Sequence, residues 1–232
     1  MPRYAIYFVP PANTEIFRFG STLLGYDCYT GKAMRRPAFV KDEPSFWDAL
    51  TAEPRRYGFH ATLKAPFSLL PSCTEDQLIS AVHSFAGLGH AIPVLAPMVQ
   101  MFGGFAAIVP ATASTAIDEL ASKCTTIFDA FRAPMSPAER ARRVAMGLKE
   151  SEIANLDRWG YPYLFADFRF HMTLTSKVDP DRRSQLLETL QKTFQRSCKD
   201  RAVAIEQISL MRQSEEKSPF RVIEQATLRP AQ

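Results

Sequence analysis

Apolar positions along the chain switch between a period of two and a period near 3.6, and the switches divide it into elements. Residues 3–9 alternate, with Tyr4, Ile6 and Phe8 on one face and Ala5, Tyr7 and Val9 on the other, which predicts a strand. Asn13 or Thr14 can cap a helix carrying Ile16, Phe19, Leu23 and Leu24 and ending at Gly25. Residues 25–45 read as loop, and Phe46, Trp47 and Leu50 predict a short helix before Pro54. A strand follows over about 57–66. Thr74-Glu75-Asp76-Gln77 has the capping-box pattern and opens a helix with Leu78, Ile79, Val82 and Phe85 on its apolar side. Two strands, about 92–102 and 104–109, flank a turn at Gly103-Gly104. Helical spacing returns over 113–131, Ser136-Pro137-Ala138-Glu139 opens another helix, and Ser151 starts a further short one. The loop Trp159-Gly160-Tyr161-Pro162-Tyr163 precedes a strand over about 168–177. Asp179-Pro180 then caps a helix with Leu186, Leu187, Leu190 and Phe194, and strands at about 202–212 and 219–228 close the chain.

This order contains a repeat. A strand near residue 60 and a strand near residue 171 are each followed by helix, strand, turn and strand. The pattern predicts an α+β fold of two pseudo-symmetric lobes, each an antiparallel sheet with helices on its outer face, around a central cleft. The expected division is a single domain with lobes at about 1–131 and 168–232 and a helical insertion at 132–167.

The repeated strands also share a motif. Tyr57-Gly58-Phe59-His60-Ala61-Thr62-Leu63-Lys64 is echoed by Phe168-Arg169-Phe170-His171-Met172-Thr173-Leu174-Thr175. Strand alternation puts His60 with Thr62, and His171 with Thr173, on one face, over an apolar face of Phe59, Ala61 and Leu63 or Phe170, Met172 and Leu174. Two of the four histidines are followed by x-Thr-Leu, a coincidence of roughly one in several thousand on background composition. The bland alternative is two structural histidines, each bonded to its neighbouring threonine. Around the motifs, the same parity places Gly58, Lys64, Arg169 and Thr175 beside the histidines. Arg169 is the strongest candidate for a phosphate-binding cation. Tyr57, Lys64 and Tyr7 join it as substrate-binding candidates, and Arg55-Arg56 can lie at the cleft mouth.

Composition narrows the partners. The chain of 232 residues is 46% hydrophobic and 22% charged, with a net charge of +4. That suits an anionic small molecule or a short nucleic acid, and is too weak for a DNA duplex, which asks for a concentrated basic stripe. Arg140, Arg142 and Arg143 could form a nucleic-acid patch or simply a solvated helix face. Trp159, Tyr161 and Tyr163 could stack on a base or pack as a loop floor. The short apolar N-terminus lacks signal-peptide character. The uncharged run from Ala91 to Ile117 is broken by three prolines and two glycines and reads as a buried hairpin, not a membrane span. Scattered cysteines and the absence of metal-ligand spacing lead to the expectation of a cytoplasmic protein with no metal and no cofactor. His83 and His90 have no partner motif.

The paired His-x-Thr motifs resemble those of the 2H phosphoesterase superfamily, which includes RNA 2′,3′-cyclic phosphodiesterases and related ligases. The longer motif strings, with Arg3-Tyr4-Ala5-Ile6-Tyr7 and Leu24-Gly25-Tyr26-Asp27, resemble a narrower bacterial branch associated with phosphonate metabolism. The resemblance implies metal-independent hydrolysis of a cyclic phosphodiester on a nucleotide, an RNA end or a ribose. His60 and His171 would act as general acid and base, and Thr62 and Thr173 would hold the non-bridging oxygens. Either histidine could take either role. A non-catalytic binding module for a nucleotide or RNA end, and an RNA 2′-5′ ligase, are the alternative readings.

Overall fold

A computed structural model describes residues 1–199 and 202–231 of the chain. Strand β1 (Arg3–Phe8) is followed by helices α1 (Glu15–Leu24) and α2 (Pro44–Arg55), then β2 (Ala61–Phe67) and α3 (Glu75–Gly87). Next come the short β3 (Val94–Leu95), the hairpin β4 (Pro97–Phe102) and β5 (Phe105–Pro110), and α4 (Thr115–Phe128). Then come α5 (Pro137–Val144) and α6 (Glu150–Trp159). After them come β6 (Met172–Lys177), α7 (Arg183–Ser197), the short β7 (Val203–Ala204), and the hairpin β8 (Gln207–Gln213) and β9 (Arg221–Thr227).

Local chemistry sets the helix ends. Thr14 accepts the Phe17 N–H at the start of α1, and Gly25 ends that helix at φ 73°, a conformation that costs an L side chain strain. Thr74 and Gln77 form the reciprocal capping box of α3. Pro54, expected to follow α2, lies inside its last turn. The expected start of α6 at Ser151 shifts to Lys149, whose backbone N–H donates to Glu152.

The repeat is present as β2–α3–β3–β4–β5 and β6–α7–β7–β8–β9, with β3 paired to β7. The strands form one antiparallel sheet in the order β4-β5-β6-β2-β1-β8-β9. At its centre, β2 and β6 meet through the pair Ala61–Met172. A single seven-stranded sheet therefore spans both repeats. Each repeat lends its hairpin to the other's sheet: β4–β5 pairs with β6, and β8–β9 extends β1–β2. Helices α1, α2 and α7 pack on the β4–β5–β6 side, and α3 and α4 on the other.

The apolar faces of both motifs lie in the core. Phe59, Ala61 and Leu63, and Phe170, Met172 and Leu174, are all buried. Phe59 presses on α1 at Gly20, where a Cβ would overlap its ring. Each of the Phe, Leu and Met side chains contributes about 1.5–3 kcal/mol by leaving water, which anchors the motif strands from behind. Among the described residues no helix is long and apolar enough to cross a membrane.

Candidate functional site

His60 and His171 stand immediately before β2 and β6. Because the two strands run antiparallel through Ala61–Met172, one step back on either strand is one step forward on the other. His60 therefore lies beside Thr173, and Thr62 beside His171, around a local twofold. The cavities follow this arrangement. One of about 290 Å³ is lined by His60, Thr173 and Tyr57. The other, of about 730 Å³, is lined by Thr62, His171, Arg169, Phe102 and Phe105.

Each imidazole is held in the same way. His60 Nδ1 lies 2.9 Å from the Gly58 carbonyl, and His171 Nδ1 lies 2.7 Å from the Arg169 carbonyl. A carbonyl only accepts, so Nδ1 carries the hydrogen in both rings and Nε2 is left for chemistry. His60 Nε2 is 3.3 Å from the Thr62 hydroxyl. The carbonyl that orients His60 belongs to a glycine at φ 74°, packed so closely on Cys28 that a Cβ would stand 2.6 Å from its Cβ.

An aromatic ring backs each histidine. Tyr7 stacks on His60 with centroids 3.8 Å apart, and Phe102 stacks on His171 at 4.8 Å. The Tyr7 hydroxyl hydrogen bonds with Thr62. Burial lowers the His60 pKa from its ordinary 6.5 to about 4, against an opposing push from the Gly58 carbonyl and with the help of nearby His171. Burial also lowers the His171 pKa, opposed by the Arg169 carbonyl. Desolvation raises the Tyr7 pKa well above 10, so the hydroxyl stays a neutral donor.

The other sequence candidates divide. Tyr57 lies 6.2 Å from the His60 ring centroid and stacks on Phe220. Arg169 lines the larger cavity and spends one guanidinium nitrogen on the Ala166 and Phe168 carbonyls. Lys64 does not face the cleft. Its ammonium is buried, 3.1 Å from Asp129 and bonded to the Thr125 carbonyl on α4. The reason is a bulge: Tyr7 pairs with Thr62, but the next residue, Ile6, pairs with Lys64, so one extra β2 residue turns the lysine to the helix side. Thr175 is buried, accepts the Ala106 N–H, and with Thr173 lines the cavity of His60. Arg55 is held by Asp48, Thr51 and the Leu24 carbonyl. His90 is buried with Nε2 on the Phe85 carbonyl, and His83 is an exposed partner of Glu224.

Sequence reasoning missed Phe102 and Phe105. The signal was available: they flank the Gly-Gly turn of a hairpin that follows a motif strand in the repeat. The segment 132–167, whose role was open, walls the larger cavity with Glu152, Tyr161 and Tyr163. Trp159 instead packs against Phe165 under Arg158. Among the described residues, no three of His, Cys, Asp or Glu gather as a metal-binding group.

The chain is similar in sequence to several known proteins. The family model described as "Protein of unknown function (DUF1045)" matches residues 62–221. A curated relative from Janthinobacterium sp. (strain Marseille), "Ribose 1,5-bisphosphate phosphokinase PhnN", is 33% identical over 223 residues, which are 95% of this chain and 49% of the relative. A protein of the same name from Laribacter hongkongensis (strain HLHK9) is 36% identical over 185 residues, 76% of this chain and 40% of the relative. The chain thus spans about half the length, or less, of the curated relatives it matches. Among solved structures, E. coli LigT in apo form is 12% identical with a TM-score of 0.45, each chain being 99% covered. A crystal structure of a phosphoesterase is 12% identical with a TM-score of 0.43 over 98% of both chains.

Proposed function

The chain belongs to the DUF1045 family of proteins of unknown function, and from that premise we propose that it is a phosphodiesterase that opens a cyclic phosphodiester by two-histidine acid–base catalysis. One observation carries the reading: the Ala61–Met172 register sets two His-Thr pairs about a local twofold, each histidine with Nδ1–H fixed on a backbone carbonyl and Nε2 unprotonated, that of His60 facing the Thr62 hydroxyl. A structural histidine needs no such duplicate.

The phosphorus would sit between the two Nε2 atoms. His60, held neutral at physiological pH, takes a proton from water as its oxygen bonds to phosphorus. His171, protonated beside the arriving anion, gives its proton to the ring oxygen as the P–O bond breaks. The products are a phosphomonoester and a free hydroxyl, and one water is consumed. Thr62 and Thr173 donate to the non-bridging oxygens, where charge builds in the transition state. Tyr7 fixes the plane of His60 and the direction of the Thr62 hydroxyl.

The relatives' name supports a ribose substrate within this class. Opening a ribose 1,2-cyclic phosphate that carries a 5-phosphate yields ribose 1,5-bisphosphate, the compound named as the relatives' kinase substrate. In a chain twice this length, a segment like this one would supply that kinase. A second reading rests on Phe102, Phe105, Tyr161 and Tyr163 in the larger cavity, which could stack on a nucleobase. Phosphorus-31 NMR on a panel of 5-phosphoribose 1,2-cyclic phosphate, 2′,3′-cyclic nucleotides and a short RNA with a cyclic end tests both. The first reading expects ring opening of the ribose compound well ahead of the others. Faster opening of the nucleotides selects the second, and tight binding without turnover leaves a binding module.

A further inference from the structure

Next to the histidine cleft lies a basin of about 490 Å³ on which arginines converge from three parts of the chain. Arg3 comes from β1, Arg56 from the residue after α2, and Arg142 and Arg143 from the insertion helix α5. Arg143 is paired with Glu139 at 2.7 Å, and Arg132, deeper in the wall, is taken by Asp129. The other three have no carboxylate within ion-pair distance among the described residues. Arg3 is oriented by the Gln213 side chain, and Arg56 by the Glu216 carbonyl, each through one guanidinium nitrogen. Their remaining N–H groups donate to no described residue, which leaves a fork geometry suited to phosphate oxygens.

The basin is joined to the catalytic pair by a shared wall. Tyr57 lines it and also the cavity of His60. Its ring stacks on Phe220 at 5.4 Å, and Arg3 stands 5.6 Å over that same Phe220 ring. Arg3 also acts electrostatically on the Tyr7 hydroxyl, which is bonded to Thr62. A substrate with its cyclic diester at the histidines can therefore reach this basin with a second anionic group across the edge of Tyr57.

We propose that the basin of Arg3, Arg56, Arg142 and Arg143 binds a terminal phosphomonoester of a small sugar-phosphate substrate, and that the 132–167 insertion completes this second phosphate site. The inference rests on the cyclic-phosphodiesterase reading for its catalytic consequence, but not for binding. A dianionic monoester fits three unpaired guanidiniums better than the singly charged links of an RNA chain. It also gives Arg142 and Arg143 a ligand, where sequence alone left them as a solvated helix face or a nucleic-acid patch.

The test uses the full chain and the Arg56→Gln/Arg142→Gln double variant; both side chains are exposed, so folding is retained. Calorimetry with ribose 5-phosphate as probe should show binding to wild type that weakens at least about tenfold in the double variant, since charge-assisted bonds are lost. His60→Ala should bind the probe as wild type does. Kinetics on ribose 1,2-cyclic phosphate with and without the 5-phosphate should show wild type preferring the phosphorylated form through KM. The double variant should lose that preference while kcat moves less than about threefold. Equal probe binding by wild type and double variant overturns the site, whatever the catalysis. So does wild type that ignores the 5-phosphate, or a double variant impaired only on RNA. Probe binding that depends on the arginines, without turnover of any cyclic phosphate, supports the basin and refutes the catalytic reading instead.

Discussion

Protonating His60 should destabilise the fold over a defined acid window. Its folded pKa of about 4 lies below the ordinary 6.5, so the fold prefers the neutral ring. Above pH 6.5 both folded and unfolded chains hold the ring neutral, and its contribution to stability is constant. As pH falls from 6.5 toward 4, the unfolded chain takes up a proton that the folded chain refuses, and stability drops. At pH 5 the linkage amounts to about 2 kcal/mol, and allowance for the half-buried ring brings it to roughly 1–2 kcal/mol. His171 adds in the same direction. Urea unfolding at pH 7.5 and pH 5, for wild type and His60→Gln, isolates the effect: the loss between the two pH values should be smaller in the variant by that amount. Proton NMR of the His60 ring should show no titration between pH 8 and 5. A His60 resonance titrating near 6.5, or an equal stability loss in both proteins, would refute the argument that burial sets this group.

Three further outcomes follow from the geometry. Gly58→Ala should destabilise by about 2–4 kcal/mol, from left-handed backbone strain and the contact with Cys28, and should lower kcat by shifting the carbonyl that orients His60; chemical denaturation with steady-state kinetics checks both. Lys64→Met should cost about 2–4 kcal/mol, because Asp129 keeps Arg132 but loses its buried ammonium, while KM stays near wild type, as measured by denaturation and kinetics. Thr62→Val and Thr173→Val should each lower kcat by roughly 10- to 1000-fold with little change in stability, measured by single-turnover hydrolysis and thermal melts.

The repeat, the motif faces and most helix ends were legible because they are local. Alternation needs only neighbouring residues, and Thr74 with Gln77 or Gly25 at φ 73° act within one turn. The exchange of hairpins between repeats was not legible, since pairing of β4–β5 with β6 joins residues far apart in sequence. Strand parity failed where the β2 and β6 registers are irregular. At Lys64 one added β2 residue after Thr62 reverses the face, and Thr175 lies in an irregular stretch where β6 takes four residues to β5's two. The same parity held at His60–Thr62, which precedes the bulge. Tyr7 and Arg169 were visible as candidates by face. The arginine basin was visible only as separate charges, because Arg3, Arg56 and Arg142 meet through three different elements. Residues 132–167 supply Tyr161 to the wall of the larger cavity and Arg142 to the rim of the basin.

Hydrolysis of 5-phosphoribose 1,2-cyclic phosphate in EDTA, by wild type beside His60→Ala and His171→Ala, tests the central claim most directly. The two-histidine account predicts wild-type turnover that survives EDTA and falls by at least about a hundredfold in each variant, while ribose 5-phosphate still binds both. Turnover by either variant at the wild-type rate would contradict it.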